Sequence, residues 1–465
     1  MAKIAFLGAG SAVFAKNILG DCLLSEALRD SHIALYDIDR RRLGDCKLML
    51  DRLNANVNAG RAKITAHCGV RSRRAALRRA NYVVNAIQVG AYDPGTIRDF
   101  EIPKKHGLRQ TIADTLGIGG IFRALRTIPV LRDFAEDIHA VCPNAWFLNY
   151  TNPMAMDTMA LLRLGVKAVG LCHSVQGCAG SLLKRLGMIE GVKKLQWRAA
   201  GINHQTWLTE INDGGRDLYP EIRKRAARRV ARVRKLGVKE VMERADRKMK
   251  EDGSTIPESG VVGDLVRMEL MRAVGYYVTE SSEHTAEYVP WFIKRTRPEL
   301  IEEFNIPLDE YLRRSVRLIE RWRTQREQLI ASEEITHKRT REYASEIMRA
   351  METNEPFRFH GNVRNDGLVT NLPRRACVEV ACMADRNGVT PTVFGDLPEA
   401  CAAINRTNIN VQLLAVEAAL TGKRDHVYQA AMMDPHTGAE LSLDEIRRLC
   451  DELIEAHAEY LPDYH

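Results

Sequence analysis

Three short stretches carry side chains able to hold a cation or polarise an oxygen: Asn149-Tyr150-Thr151-Asn152-Pro153, Cys172-His173-Ser174 and Gly201-Ile202-Asn203-His204. A thiolate from Cys172 and an imidazole from His204 could share a divalent metal with substrate oxygens and water. By spacing alone the pair decides little, because a lone cysteine is usually a small core residue and a lone histidine a satisfied polar one. A fourth stretch, Gly8-Ala9-Gly10, follows an apolar run and precedes a helical pattern, the arrangement in which backbone N–H groups cradle a pyrophosphate. Val13 stands where a third glycine would complete the usual dinucleotide fingerprint. Asp37 closes the next apolar run, where a carboxylate binds a ribose 2′-hydroxyl and disfavours a 2′-phosphate. Cofactor contacts are therefore expected at Gly8, Gly10, Ser11, Ala12, Val13, Phe14 and Asp37, and at Gln88 beyond a later strand.

The elements that must position these residues alternate. Short apolar runs at 3–7, 33–36, 62–66, 82–87, 146–149 and 168–172 read as strands. Helical patterns over 13–24, up to about 58, over 121–141 and over 154–164 lie between them. Strands alternating with helices indicate a parallel sheet, and ligands of such sheets bind beyond the carboxyl ends of the strands. The expectation is an α/β protein with an N-terminal Rossmann-like doubly wound sheet over residues 1–198. A closely packed α+β substrate-, metal-binding and oligomerisation half would span 199–465. In that second half, 219–250 reads as a basic helical hairpin with a solvated face, and 309–351 as a long charged helix. Residues 362–394 form a strand-and-turn region around a buried Cys377-Val378-Glu379-Val380, and the last ~65 residues are helical.

Composition narrows the class. The 465 residues include 68 Lys plus Arg against 60 Asp plus Glu, a net charge of +8, with 45% hydrophobic residues. That is the make-up of a soluble globular chain and not of a disordered one. No apolar run approaches the ~18 residues that span a bilayer. Met1-Ala2-Lys3 leads straight into a strand pattern, so neither a membrane span nor a signal peptide is expected. Ten cysteines without a CxxC pair point to a thiol-reduced, cytoplasmic protein.

Longer motifs are more specific. Phe6-Leu7-Gly8-Ala9-Gly10-Ser11, the run Thr111 to Gly117 (TIADTLG), the run Leu148 to Met156 (LNYTNPMAM) and the run Gly170 to Gly177 (GLCHSVQG) belong together. So do Ala200-Gly201-Ile202-Asn203-His204, Thr279-Glu280-Ser281-Ser282-Glu283-His284 and the run Gly361 to Gly367 (GNVRNDG). With them the chain resembles glycoside hydrolase family 4, the NAD- and metal-dependent glycosidases, most closely its α-galactosidase (melibiase) branch. The resemblance runs from residue 3 to about 463, and the basic stretch at 223–255 is the main departure.

The resemblance implies NAD and Mn²⁺ as cofactors and a small α-glycoside, such as melibiose, as substrate. It also implies a mechanism outside the usual two-carboxylate scheme. Sugar C3 is oxidised, the C2 proton is lost, the glycosidic oxygen is eliminated, water adds, and the hydride returns. Carried over by position, Cys172 and His204 are the metal ligands, Asp114, Asn149 and Asn152 contact the sugar, and His173 is the general acid. The C2 base lies among Tyr276, Tyr277, Glu280, Glu283 and His284, with Glu280 the first choice. A homodimer or homotetramer is implied in the same way. An α-glucosidase or an α-glucuronidase/galacturonidase of the same family is the near alternative. A hydroxy-acid dehydrogenase is more distant, and nucleic-acid binding rests only on the basic stretch.

Overall fold

The computed structural model describes residues 1–332 and 334–465. Its first six strands are β1 (Lys3–Leu7), β2 (His32–Asp37), β3 (Lys63–Cys68), β4 (Tyr82–Asn85), β5 (Trp146–Asn149) and β6 (Ala168–Gly170). They pair in parallel in the order β3-β2-β1-β4-β5-β6. β1 and β4 are apolar without alternation, with Ile4 to Leu7 and Tyr82 to Asn85 all buried. Helices cover both faces, so neither side of these central strands faces solvent. The strand order reverses between β1 and β4, which opens a crevice at the carboxyl edge. The Gly8 turn, Gln88, Asn152 and Cys172 all leave strands at that edge.

The second half extends the same sheet. β7 (Leu195–Ile202), β8 (Gln205–Asp213), β9 (Arg216–Asp217), β10 (Tyr277–Val278), β11 (Phe357–Arg364), β12 (Cys377–Asp385) and β13 (Gly388–Pro391) bring it to 13 strands. The junction is antiparallel: Asn362 of β11 pairs with Gly170 of β6, and Glu379 of β12 with Gly201 of β7. The expected division at 198/199 falls inside β7, at a register irregularity between Arg198 and Ala199. The long helix Glu399–Thr421, rich in buried alanine and asparagine, packs on helices Gly117–Val141 and Met154–Arg163 and closes the core beneath the site.

The basic stretch forms the expected hairpin, Tyr219–Leu236 and Val238–Asp252. Ile222, Ala226, Val230 and Val233 face inward, while Lys224 and Arg228 stay exposed. The long helix expected over 309–351 is corrected. Helix Glu310–Ala331 ends there, and helix Ala344–Thr353 begins only after an extended stretch; residue 333 lies outside the described residues. The break has a physical cause. Residues 335–343 cross to the first half, where buried Asp21 accepts hydrogen bonds from His337 Nε2 at 2.7 Å and from the Thr340 N–H at 3.0 Å. A helix continued through this stretch would take the Thr340 N–H into its own ladder and away from Asp21. Among the described residues no helix is long and apolar enough to cross a membrane.

Candidate active site

At the glycine turn, Gly8 has φ +85°, and a Cβ there would stand 2.6 Å from the Ala86 carbonyl oxygen. Only glycine fits this left-handed, close-packed position. The Gly10 N–H donates to Asp37 Oδ2 at 2.6 Å, and the Asp39 N–H to Asp37 Oδ1 at 2.9 Å. Asp37 therefore braces the turn as well as closing β2. Helix Ala12–Leu23 starts without a side-chain cap from Ser11 and without an acid in its first turn, so its N-terminal N–H groups remain open to an anion. Val13 is 46% and Ile38 75% exposed, two apolar side chains left in solvent at this edge. Gln88 Nε2 lies 3.3 Å from Thr96 Oγ1, at the end of the helical segment Ala91–Thr96.

The second cluster is deeper. β7 and β8 are joined by a two-residue turn, Asn203-His204, in which His204 takes φ +63°. A non-glycine residue in that region carries strain that the surrounding structure must hold. The turn puts His204 Nε2 3.6 Å from Glu280 Oε2, and ligand atoms of Cys172, His204 and Glu280 all lie within 4.8 Å of one another. A second group, Asp114, His204 and His284, meets the same limit. His284 Nε2 stands 3.6 Å from Asp114 Oδ1, and Asn152 Nδ2 donates to Asp114 Oδ2 at 3.3 Å. The buried Asn152 Oδ1 has no partner among the described residues, which leaves an acceptor open to a ligand.

Electrostatics separate these groups. Burial drives the Cys172 thiol well above its usual range, and the neighbouring Glu379 and Glu280 add to the shift. Burial also acts on Glu280, but His204 and His284 outweigh it and hold that carboxyl below its ordinary value. Asp114 follows the same pattern: His284 overcomes burial and keeps it ionised. Were a divalent cation held here, the buried Cys172 thiol would give up its proton to it.

Not every expected residue joins the cluster. Asn149 is fully buried, and its Oδ1 accepts from Asn85 Nδ2 at 2.9 Å while its Nδ2 donates to the Thr151 carbonyl at 3.1 Å, so it braces the loop before Asn152. His173 is not among the clustered ligand atoms; its side chain is 54% exposed and its Nε2 lies 2.7 Å from Glu342 Oε2. That hydrogen bond raises its proton affinity. Tyr277 donates to Asp264 in the core, Tyr276 packs on Tyr219, and Glu283 pairs with Arg314. Of the five candidates for the base, Glu280 and His284 reach the cluster.

Three further residues join the site, none of them a site candidate from the sequence. Tyr288 OH lies 3.5 Å from His204 Nδ1. Glu379 is buried between Thr206 Oγ1, 2.7 Å from its Oε2, and Asn362 Nδ2, 3.3 Å from its Oε1; burial pushes its carboxyl up to about 7. Glu287 accepts the backbone N–H groups of Thr111, Ile112 and Ala113 at 2.8, 3.1 and 2.9 Å, holding the loop that carries Asp114. An acidic residue three places after His284, on one face of helix Ser282–Tyr288, was the available signal for Glu287.

A doubly wound nucleotide-type sheet whose carboxyl edge faces a buried sulfur, imidazole and carboxylate cluster defines the class. Residues 3–188 match the Family 4 glycosyl hydrolase family, and residues 199–437 match the Family 4 glycosyl hydrolase C-terminal domain. An alpha-galactosidase of Bacillus subtilis (strain 168) is 55% identical, with 100% of each chain covered. An alpha-galactosidase of Rhizobium meliloti (strain 1021) is 35% identical, covering 99% of this chain and 89% of the relative. The structure of a 6-phospho-beta glucosidase from Thermotoga maritima with manganese, NAD+ and glucose-6-phosphate shares the fold. Its TM-score is 0.72 at 20% identity, with 99% of each chain covered. The chain belongs to glycosyl hydrolase family 4.

Proposed function

We propose that this enzyme hydrolyses terminal α-galactosides of the melibiose kind, with NAD and Mn²⁺ as cofactors. The meeting of Cys172, His204 and Glu280 beside the carboxyl edge of a dinucleotide-type sheet carries the reading. The 55% identity to an alpha-galactosidase supports the choice of sugar. Bound at these places, NAD supplies reversible hydride acceptance at sugar C3, and the divalent ion supplies Lewis-acid stabilisation of charge on the sugar oxygens.

The residues present fit both groups. The Gly8–Ser11 turn and the uncapped helix after it suit a pyrophosphate, Asp37 a ribose hydroxyl, and exposed Val13 and Ile38 the flat apolar faces of the cofactor. Cys172 and His204 would hold the ion. Mn²⁺ favours oxygen over sulfur, so sugar hydroxyls and water would complete a set that a lone thiolate and imidazole would not.

Each remaining role belongs to the chain itself. Glu280 takes the C2 proton once C3 is a ketone. His173 protonates the leaving glycosidic oxygen. Asp114 and Asn152 accept and donate hydrogen bonds to the sugar hydroxyls, while Asn149 keeps their loop in place. The protein acts in the cytoplasm, where its ten unpaired cysteines stay reduced, and it works as a homodimer or homotetramer. No nucleic-acid role is assigned to the basic hairpin.

The test is hydrolysis of an aryl α-galactoside in deuterated water. Turnover is expected only with both NAD⁺ and Mn²⁺ added, and the released galactose carries deuterium at C2. Full-rate hydrolysis after both cofactors are stripped, or product without deuterium, overturns the proposal.

A further inference from the structure

The stretch 335–343, which crosses back to the first half, ends at His173, and the way it is anchored gives it a role. Asp21 lies fully buried on helix Ala12–Leu23. It accepts from His337 Nε2 at 2.7 Å, from the Thr340 N–H at 3.0 Å and from Thr340 Oγ1 at 2.6 Å. Gly20, one residue earlier, makes room: a Cβ there would stand 2.7 Å from the His337 ring. Thr340 Oγ1 in turn accepts the Glu342 N–H at 3.1 Å, which sets the backbone of the residue that bonds His173. Next in the chain, Tyr343 OH donates to the Cys172 carbonyl at 2.9 Å, and its ring meets the His173 ring edge-on at 6.4 Å. Tyr150 stacks on the other side at 5.9 Å. A half-exposed imidazole is thus gripped by one carboxylate and two aromatic rings, all themselves buried or nearly so.

The carboxylate fixes where the ring stands: His173 Nε2 lies 2.7 Å from Glu342 Oε2, with the Tyr150 and Tyr343 rings against the imidazole. We propose that Glu342 is a positioning residue: it holds the His173 ring in place to act on the leaving glycosidic oxygen. The inference rests on His173 being the general acid.

That dependence can be separated experimentally. An acid matters most where the leaving group is poor, so melibiose and 4-nitrophenyl α-galactoside are compared on the holoenzyme with NAD⁺ and Mn²⁺. Glu342→Gln is expected to lower kcat on melibiose by about 100-fold, and on the nitrophenyl substrate by less than about threefold, with KM little changed on either. In deuterated water the recovered, uncleaved melibiose should gain deuterium at C2 at least about tenfold faster relative to cleavage than with the parent enzyme, because deprotonation outruns elimination. Glu342→Asp should restore much of the loss, and His173→Gln/Glu342→Gln should match His173→Gln alone. Equal losses on both substrates, or an added loss in the double variant, overturn the role of Glu342 while His173→Gln still discriminates between substrates. If His173→Gln itself slows both substrates alike, the acid assignment falls and this proposal falls with it.

Discussion

His204 Nε2 and Glu280 Oε2 face each other at 3.6 Å because β8 and β10 pair antiparallel. Val278 lies opposite Trp207, the Thr279 N–H donates to the Thr206 carbonyl at 2.8 Å, and the next step along each strand brings Glu280 to the His204 turn. Cys172 reaches the same point from the end of β6, through the β6-β11-β12-β7 run of the sheet. A site assembled across a continuous sheet keeps its spacing without loops having to close.

Loss of either expected metal ligand should therefore leave the cofactor fold intact. Cys172→Ser and His204→Ala are expected to weaken Mn²⁺ binding by more than about 100-fold, beyond what the loss of an outer partner costs. NAD binding should stay within about twofold, since both residues lie outside the glycine turn. Titration calorimetry with Mn²⁺ and, separately, with NAD⁺ reads both effects. Equal weakening of the two would mean that the substitutions disturb the fold.

Glu287 is expected to act on the sugar through the loop it holds. Glu287→Gln weakens three backbone contacts, at Thr111, Ile112 and Ala113, and frees Asp114 from its place. KM for an aryl α-galactoside should rise about 10–100-fold, the equivalent of one charged hydrogen bond. Steady-state kinetics at saturating NAD⁺ and Mn²⁺ would show this, with NAD⁺ affinity unchanged.

Glu379 makes the stability of the metal-free protein depend on pH. Its folded carboxyl is raised by burial to about 7, above the ordinary value of 4.5. Below pH 4.5 both states are protonated and the residue has no net effect. As pH rises toward 7 the unfolded chain ionises first, so stability falls by about 1.4 kcal/mol per pH unit and then levels off. The total is on the order of 3 kcal/mol. Glu379→Gln should remove this decline, so that urea midpoints at pH 5 and pH 8 differ less than in the parent. An undiminished difference would place the pH dependence elsewhere.

Asp37 is expected to set the choice of nucleotide. Its two oxygens already accept the Gly10 and Asp39 N–H groups, at 2.6 and 2.9 Å, which fixes the carboxylate at the edge of the crevice. Asp37→Ser should weaken NADH binding by about 10–100-fold and reduce the preference over NADPH, since both a hydrogen bond and a repulsive charge are lost. Fluorescence titration with the two reduced nucleotides measures both.

The first half of the fold was legible because local signals carry it. Buried parallel strands are continuous apolar runs, their helices are amphipathic, and the Gly8 turn and Asp37 sit at fixed places between them. The outlying errors have local causes too: helix Glu310–Ala331 stops where the chain leaves for Asp21, a contact 316 residues away that no periodicity contains. Cys172 and His204 stood out by residue type and strand-end position, but their meeting depends on β6, β11, β12 and β7 lying side by side. The five-fold choice of base was undecidable in a run where every residue but Val278 is polar or aromatic. Backbone direction resolves it, sending Tyr277 to Asp264 and Glu283 to Arg314, and bringing Glu280 and His284 inward.

What the sequence determined alone is the identity of the parts: a nucleotide-type turn, a thiol, imidazoles and carboxylates at strand ends, in an order that marks the family. Tertiary structure decided which of them touch. Long-range strand pairing set the Cys172–His204–Glu280 cluster, and Glu287, Glu379 and Glu342 meet partners distant in the chain only because folding brings them together. A carboxylate's chemistry is written in its residue type, whereas its charge state and its target depend on the dielectric and the neighbours that folding supplies.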